Sequence, residues 1–169
     1  MSVNQVPAGE PLPKSTSVPV PVEVAFRAYV ELAMDWVPPS HRFTTGTVSM
    51  TIEPWVGGRF YETAEDGGEA TRGTVLEWCP PARLAMTWRV GPGWEPLPDD
   101  ERAPHVEVDF APHGQATEVT VAYTHLEACD PAFAAQLSAV LAMPGPGETL
   151  ERYAEVAAHH ASSKSWPKD

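Results

Sequence analysis

The chain has 169 residues, 43% of them hydrophobic, which is enough for one domain with a sizeable core. Its 11 basic and 23 acidic residues give a net charge of −12. That balance argues against nucleic acid or an anionic membrane surface as partner, because both select clustered Lys and Arg. No apolar run approaches about 18 residues and no signal-peptide pattern opens the chain, so a cytoplasmic protein without membrane insertion is expected.

Residues 1–14 carry Pro7, Gly9, Pro11 and Pro13 and little to bury, and read as a mobile tail. The domain is expected to span 15–163, with a second tail at 164–169. Residues 15–20 predict a short strand. Val22, Ala25, Phe26, Tyr29, Val30, Ala33 and Met34 then recur at the spacing of one helical face. Glu23, Arg27 and Glu31 lie four apart on the opposite face, where they can pair. Pro21 suits the first turn of this helix, and Pro38 and Pro39 close it.

From Thr47 the period falls to two. Val48, Met50 and Ile52 alternate with polar residues, as in a half-buried strand. Gly57-Gly58 permits a tight turn, and Asp66-Gly67 is a hairpin signal. Between them Phe60 and Glu62 alternate with Arg59 and Tyr61 without showing which face is buried. Pro80-Pro81 must end one strand before Leu84, Met86 and Trp88 mark the next. A Pro- and Gly-rich loop at 91–104 carries Trp94, which has no strand partner. Val106, Val108 and Phe110 follow. After a turn at 112–115 come Val119, Val121, Tyr123 and His125. Six strands without an intervening helix predict an antiparallel sheet with one wet and one covered face.

Asp130-Pro131 is an N-cap followed by Pro at the first helical position. Phe133, Leu137, Val140 and Leu141 predict a short helix, stopped by residues 144–147. A longer helix is expected over 148–162. Leu150, Tyr153, Ala154, Ala157 and Ala161 face inward, and Glu151, Arg152, Glu155 and His159 face out. The small residues on its inner stripe leave room between helix and sheet.

Val22-Glu23-Val24-Ala25-Phe26, Trp36-Val37-Pro38-Pro39, Gly57-Gly58-Arg59-Phe60-Tyr61-Glu62, Gly73-Thr74-Val75, Pro80-Pro81-Ala82-Arg83-Leu84 and Thr87-Trp88 occur in this order. Together they resemble the family named after the C-terminal domain of the heat-shock-protein ATPase activator, in the START and pollen-allergen-like (SRPBCC) superfamily. The resemblance spans residues 15–162. It implies an α+β helix-grip fold, a curved antiparallel sheet wrapped around a long C-terminal helix with an apolar cavity. Val37 and Glu148 stand where many relatives carry aromatic bulk, which implies an altered cavity mouth. The family includes dimers, and a homodimer through the sheet edge or the 91–104 loop would cover Trp94.

The helix-grip arrangement implies that Trp36, Met50, Trp55, Phe60, Trp88, Phe110, Tyr123, His125 and Tyr153 converge on the cavity and line a hydrophobic small molecule. Tyr123 and His125, two apart on one strand, point the same way. They are candidates for an acid–base pair like that of aromatase and cyclase relatives, or for a core Tyr and His with ordinary hydrogen bonds. Glu62 is expected at the rim or on the wet face, and Arg59 against a Glu or a carbonyl. His41, His105, His113, His159 and His160 show no metal-site spacing. Cys79 and Cys129 form no CxxC pair, so neither a disulfide framework nor a zinc ribbon is indicated. No nucleophile elbow, phosphate loop or dinucleotide fingerprint occurs, and no cofactor is expected.

Three functions compete. A binding module would hold a hydrophobic or aromatic ligand, and a polyketide-type cyclase or aromatase would use the same cavity. A co-chaperone would use the sheet's outer face. Without a convincing acid–base pair the binding module stands first. The Ala-, Pro- and Arg-rich composition resembles that of high-GC actinobacteria, in which some superfamily members serve secondary metabolism or self-protection.

Overall fold

The computed structural model describes residues 13–143, 145 and 147–161. Residues 1–12 of the tail expected at 1–14, the tail expected at 164–169 and the inward placement of Ala161 lie outside the described residues. In chain order the elements are β1 (Lys14–Val18), α1 (Val22–Glu31), α2 (Ala33–Trp36), β2 (Thr47–Ile52), β3 (Arg59–Ala64) and β4 (Glu69–Cys79). Next come β5 (Arg83–Thr87), β6 (His105–His113), β7 (Ala116–Thr124), α3 (Pro131–Leu141) and α4 (Glu148–Ala161). Lys14, read as the last residue of a tail, opens a strand instead.

All seven strands form one antiparallel sheet in the order β1-β7-β6-β5-β4-β3-β2. Register shifts at Thr47/Ser49, Phe60/Tyr61 and Val75/Glu77 insert irregularities that bend the strands and curl the sheet. The hairpin signal acts as its chemistry requires. Gly67 takes φ +89°, and the Asp66 carboxylate accepts from Gly68 N–H at 2.8 Å. Gly73 has a different reason for being glycine: a Cβ there would lie 2.0 Å from the Thr87 carbonyl oxygen of the neighbouring strand.

The helices close the concave side, and α4 packs against α1, α2 and β1. This is the helix-grip arrangement. The single helix expected through Met34 breaks at Leu32, whose φ of −116° and ψ of 29° end α1. The break lets Trp36 fold back so that its Nε1–H donates to the Tyr29 carbonyl at 3.0 Å. Arg152, expected to face out, turns to the end of α2. There its Nη2 donates to the Asp35 carbonyl at 3.1 Å, a favourable place for a cation.

Two apolar clusters result. The larger joins sheet, α1 and α4 around Phe26, Tyr29, Trp36, Phe110 and Tyr153. The smaller gathers Leu126, Cys129, Phe133 and Leu137 beneath α3, and Trp88 and Tyr123 pack against both. Val140, placed on the apolar stripe of α3 by the sequence, is exposed. The sheet's outer face is not uniformly wet either. Thr87 is buried, and its hydroxyl donates to Asp100 of the 91–104 loop at 2.8 Å.

Candidate functional site

The site is built on the inner face of β3, where Phe60, Glu62 and Ala64 alternate inward. Glu62 is 0% exposed, so the expected rim or wet-face position is corrected. Its carboxylate accepts from the backbone N–H of Phe43 at 2.9 Å and of Thr44 at 2.9 Å, and from the Thr44 hydroxyl at 2.8 Å. Arg72 Nη1 donates to Oε2 at 2.7 Å. Burial alone would raise the carboxyl's pKa, but these hydrogen bonds outweigh it and hold the group below the ordinary carboxylate range.

Arg72 reaches this face through a bulge. Phe60 pairs with Gly73 and Tyr61 with Thr71, which leaves Arg72 as the extra residue of β4. A bulge re-aims a side chain that strict alternation would have sent elsewhere. The guanidinium packs against the Phe43 ring at 4.8 Å and the Phe60 ring at 5.3 Å. Nη1 also donates to the His41 carbonyl at 3.0 Å. The other edge is unpaired: Nε is buried without a hydrogen-bond partner, and no described residue accepts from Nη2. Burial pulls the guanidinium's pKa down, and Glu62 partly restores it.

Arg72 couples electrostatically to two phenols, Tyr29 from α1 and Tyr123 from β7. Arg72 is close enough to lower the pKa of both, yet burial dominates. It pushes Tyr123 up to about 12 and Tyr29 further still, so both stay protonated donors. No described residue hydrogen-bonds either hydroxyl. Neither hydroxyl is among the sealed, unpaired atoms, which are Nε of Arg42 and of Arg72.

The nine residues expected to line one cavity divide. Trp36, Phe110 and Tyr153 pack around the Tyr29 ring at 4.5, 5.9 and 5.3 Å, and the Tyr153 hydroxyl donates to the Ala25 carbonyl at 2.6 Å. Tyr153 thus takes up room that the small residues of α4 leave. Phe60 belongs to the same core and touches Arg72. Met50 borders an open groove of about 490 Å³ between α1 and strands β2 and β4, shared with Phe26, Val30 and Trp78. Trp88 and Tyr123 meet edge to face at 5.0 Å. Trp94 adds to them, 6.5 Å from Trp88 and 5.1 Å from Phe133 of α3, so it has partners within its own chain.

Two of the nine lie elsewhere. Trp55 is 54% exposed in the β2–β3 connection. β7 ends at Thr124, and His125 enters a left-handed conformation, φ +62°, that starts a helical turn. Its side chain is 43% exposed, stacks on His105 at 4.2 Å and meets Glu127 at 2.9 Å. The shared-face geometry expected for Tyr123 and His125 is therefore corrected. Arg59 pairs with Glu69 at 3.2 Å, as a structural contact would. Among the described residues, no three His, Cys, Asp or Glu side chains gather as a metal site would require.

This geometry sits in a recognisable sequence. Residues 19–143 match the family described as activator of Hsp90 ATPase homolog 1-like protein. The chain belongs to that family. Chains of known structure extend the comparison. The anthrahydroquino-γ-pyrone synthase Txn09 is 42% identical, covering 89% of this chain and 99% of its own, with a TM-score of 0.59. Protein NE0264 from Nitrosomonas europaea is 21% identical, with coverages of 89% and 95% and a TM-score of 0.62. The self-sacrificing resistance protein CalC from Micromonospora echinospora is 23% identical, with coverages of 90% and 96% and a TM-score of 0.59. The last two share the fold alone. No curated protein matches the sequence.

Arg72 and Tyr29 are the site residues that sequence reasoning missed. Tyr29 was legible only as a core position of a helix. Arg72 follows Thr71 and precedes Gly73, and nothing local marks it as the residue that breaks the alternation.

Proposed function

We propose that this AHSA1-like protein takes up an oxygenated polycyclic aromatic molecule and closes a γ-pyrone ring on it, a role in secondary metabolism. The observation that carries the reading is the 42% identity to Txn09 along nearly the whole of that chain. The site's chemistry supports it. Closing such a ring joins a phenol oxygen to an electrophilic carbon of a neighbouring acyl side chain. Negative charge develops on oxygen as it does so, and preorganised donors in a dry site stabilise that charge. Arg72, Tyr29 and Tyr123 are donors of this kind, among aromatic rings suited to a flat ligand.

A second reading, a binding protein without turnover, is favoured by one observation. Glu62 spends its carboxylate on Arg72, Phe43 and Thr44, and His125 lies outside, so neither is placed to take a proton from the ligand. One experiment separates the readings. The protein is incubated with a hydroxyanthraquinone bearing a 1,3-diketone side chain beside the hydroxyl. Tryptophan emission reports binding, and mass spectrometry reports the loss of one water that pyrone formation entails. Faster loss of water than in buffer supports the synthase, and binding without conversion supports the carrier. No binding of this compound or of simpler hydroxyanthraquinones removes both.

A further inference from the structure

A largely apolar groove opens where the sheet and α1 part. β3 pairs with β4 from Glu69 to Thr74, and the rest of β4 runs on without it to Trp78 and Cys79. Phe26 and Val30, four apart on one face of α1, stand at the gap beside Trp78, and Met50 of β2 closes the other side. The space between them is about 490 Å³. Small-molecule sites run from roughly 300 to 1,000 Å³, so a ligand of several fused rings fits. Among the described residues none of α4 borders the groove, which sets it apart from the space between sheet and closing helix where Tyr153 packs. Behind it, Phe26 meets Phe110 at 5.2 Å and Phe110 meets Tyr29 at 5.9 Å, so the groove adjoins the aromatic core.

Its walls suit a flat ring system. Phe26 and Trp78 meet at 5.3 Å with their planes 73° apart, so a planar molecule stacked on one turns its edge to the other. Phe26 is buried and Trp78 half-buried, which leaves the indole as the accessible wall. Met50 is unbranched and adjusts to the outline of a guest. The polar part is the rim, where Arg27 and Glu31 pair at 3.2 Å with side chains 30% and 47% exposed. One cation and one anion make this rim neutral in a chain of net charge −12. It sets a donor beside an acceptor without net charge, which matches a hydroxyl next to a carbonyl and not an ionised group. We propose that this groove docks a flat aromatic molecule in its neutral form, ring face on Trp78 and hydroxyl–carbonyl edge at the Arg27–Glu31 rim. This rests on the reading that the chain takes up an oxygenated polycyclic aromatic. It adds where on the surface such a molecule binds and which charge state is selected.

The test titrates the full chain near neutral pH with 1-hydroxyanthraquinone, a neutral hydroxyl beside a carbonyl, and with anionic anthraquinone-2-sulfonate. The neutral probe should quench tryptophan emission and bind about tenfold or more tighter than the sulfonate, which the acidic surface repels. Trp78→Phe keeps the wall and removes the nearest emitter, so most of the quench should go while the probe's own absorbance still reports binding. Trp94→Phe, which changes the ring against Phe133 of α3, should keep the quench. Val30→Trp fills the groove from a half-buried position and should weaken binding about tenfold or more. Should that variant fail to fold, the two Phe variants decide. If the sulfonate binds as tightly, or the quench survives Trp78→Phe or disappears in Trp94→Phe, the proposal is overturned while the aromatic-ligand reading stands. Unweakened binding in folded Val30→Trp overturns it as well. If neither probe binds, the aromatic reading falls and this one with it.

Discussion

Arg72 and Glu62 form an ion pair at 2.7 Å, with side chains 8% and 0% exposed. Two charges so far from water depend on each other. Removing one partner leaves the other buried and uncompensated, which costs roughly 3–5 kcal/mol. Glu62→Gln and Arg72→Met should each show that loss in urea denaturation. The double variant should lose clearly less than the sum, because no charge is then stranded. Additive losses would mean that the pair is not coupled.

The aromatic core makes a second expectation. Phe26 meets Trp78 at 5.3 Å and Phe110 at 5.2 Å, both edge to face. Phe26→Ala should cost about 3–5 kcal/mol, the range for deleting a buried ring. A loss below about 1 kcal/mol would contradict the packing of α1 on the sheet.

Gly73 is constrained by its neighbour strand. A methyl group there would lie 2.0 Å from a backbone oxygen, which cannot swing aside as a flexible side chain can. Gly73→Ala should therefore cost about 3 kcal/mol or more. Gly57→Ala makes the comparison: φ is +90° but nothing stands within 4 Å, so only backbone strain opposes it. Thermal unfolding of the two variants should rank Gly73→Ala as clearly the worse.

Stability should also fall in mild acid. Burial, and then the neighbouring His125 ring, depress the pKa of His105 below 6.5. A histidine depressed in the folded state favours folding when neutral. Its contribution is complete above about pH 6.5 and is lost as pH falls through the folded value. Glu62, Asp100 and Glu107, held low by their hydrogen bonds against burial, add a later loss below the ordinary carboxylate range. The melting temperature should fall between about pH 7 and about pH 5. His125→Asn, which removes the charge that repels protonated His105, should shrink that fall. An unchanged melting temperature over this interval would remove His105 as its source.

What the sequence by itself determined was whatever depends on neighbours along the chain. Asp66-Gly67 turned where its backbone preference and side-chain carboxylate required, and Asp130 capped α3 by accepting from Ala132 and Phe133. The alternation in β2, β6 and β7 and the repeat in α1 and α4 fixed which residues share a face. Element order followed, and the family resemblance of the motifs implied the helix-grip arrangement. The tertiary structure alone decided what each face meets. Period-two spacing put Glu62 beside Phe60 on one face but carried no sign that an arginine ten positions on would neutralise it. That depends on the register between β3 and β4, and there one extra residue turns Arg72 inward. His125 continued the alternation of β7 in sequence, yet a left-handed turn took it to the surface beside His105. A charge can be buried only when its partner arrives from another strand, and local spacing does not record that arrival.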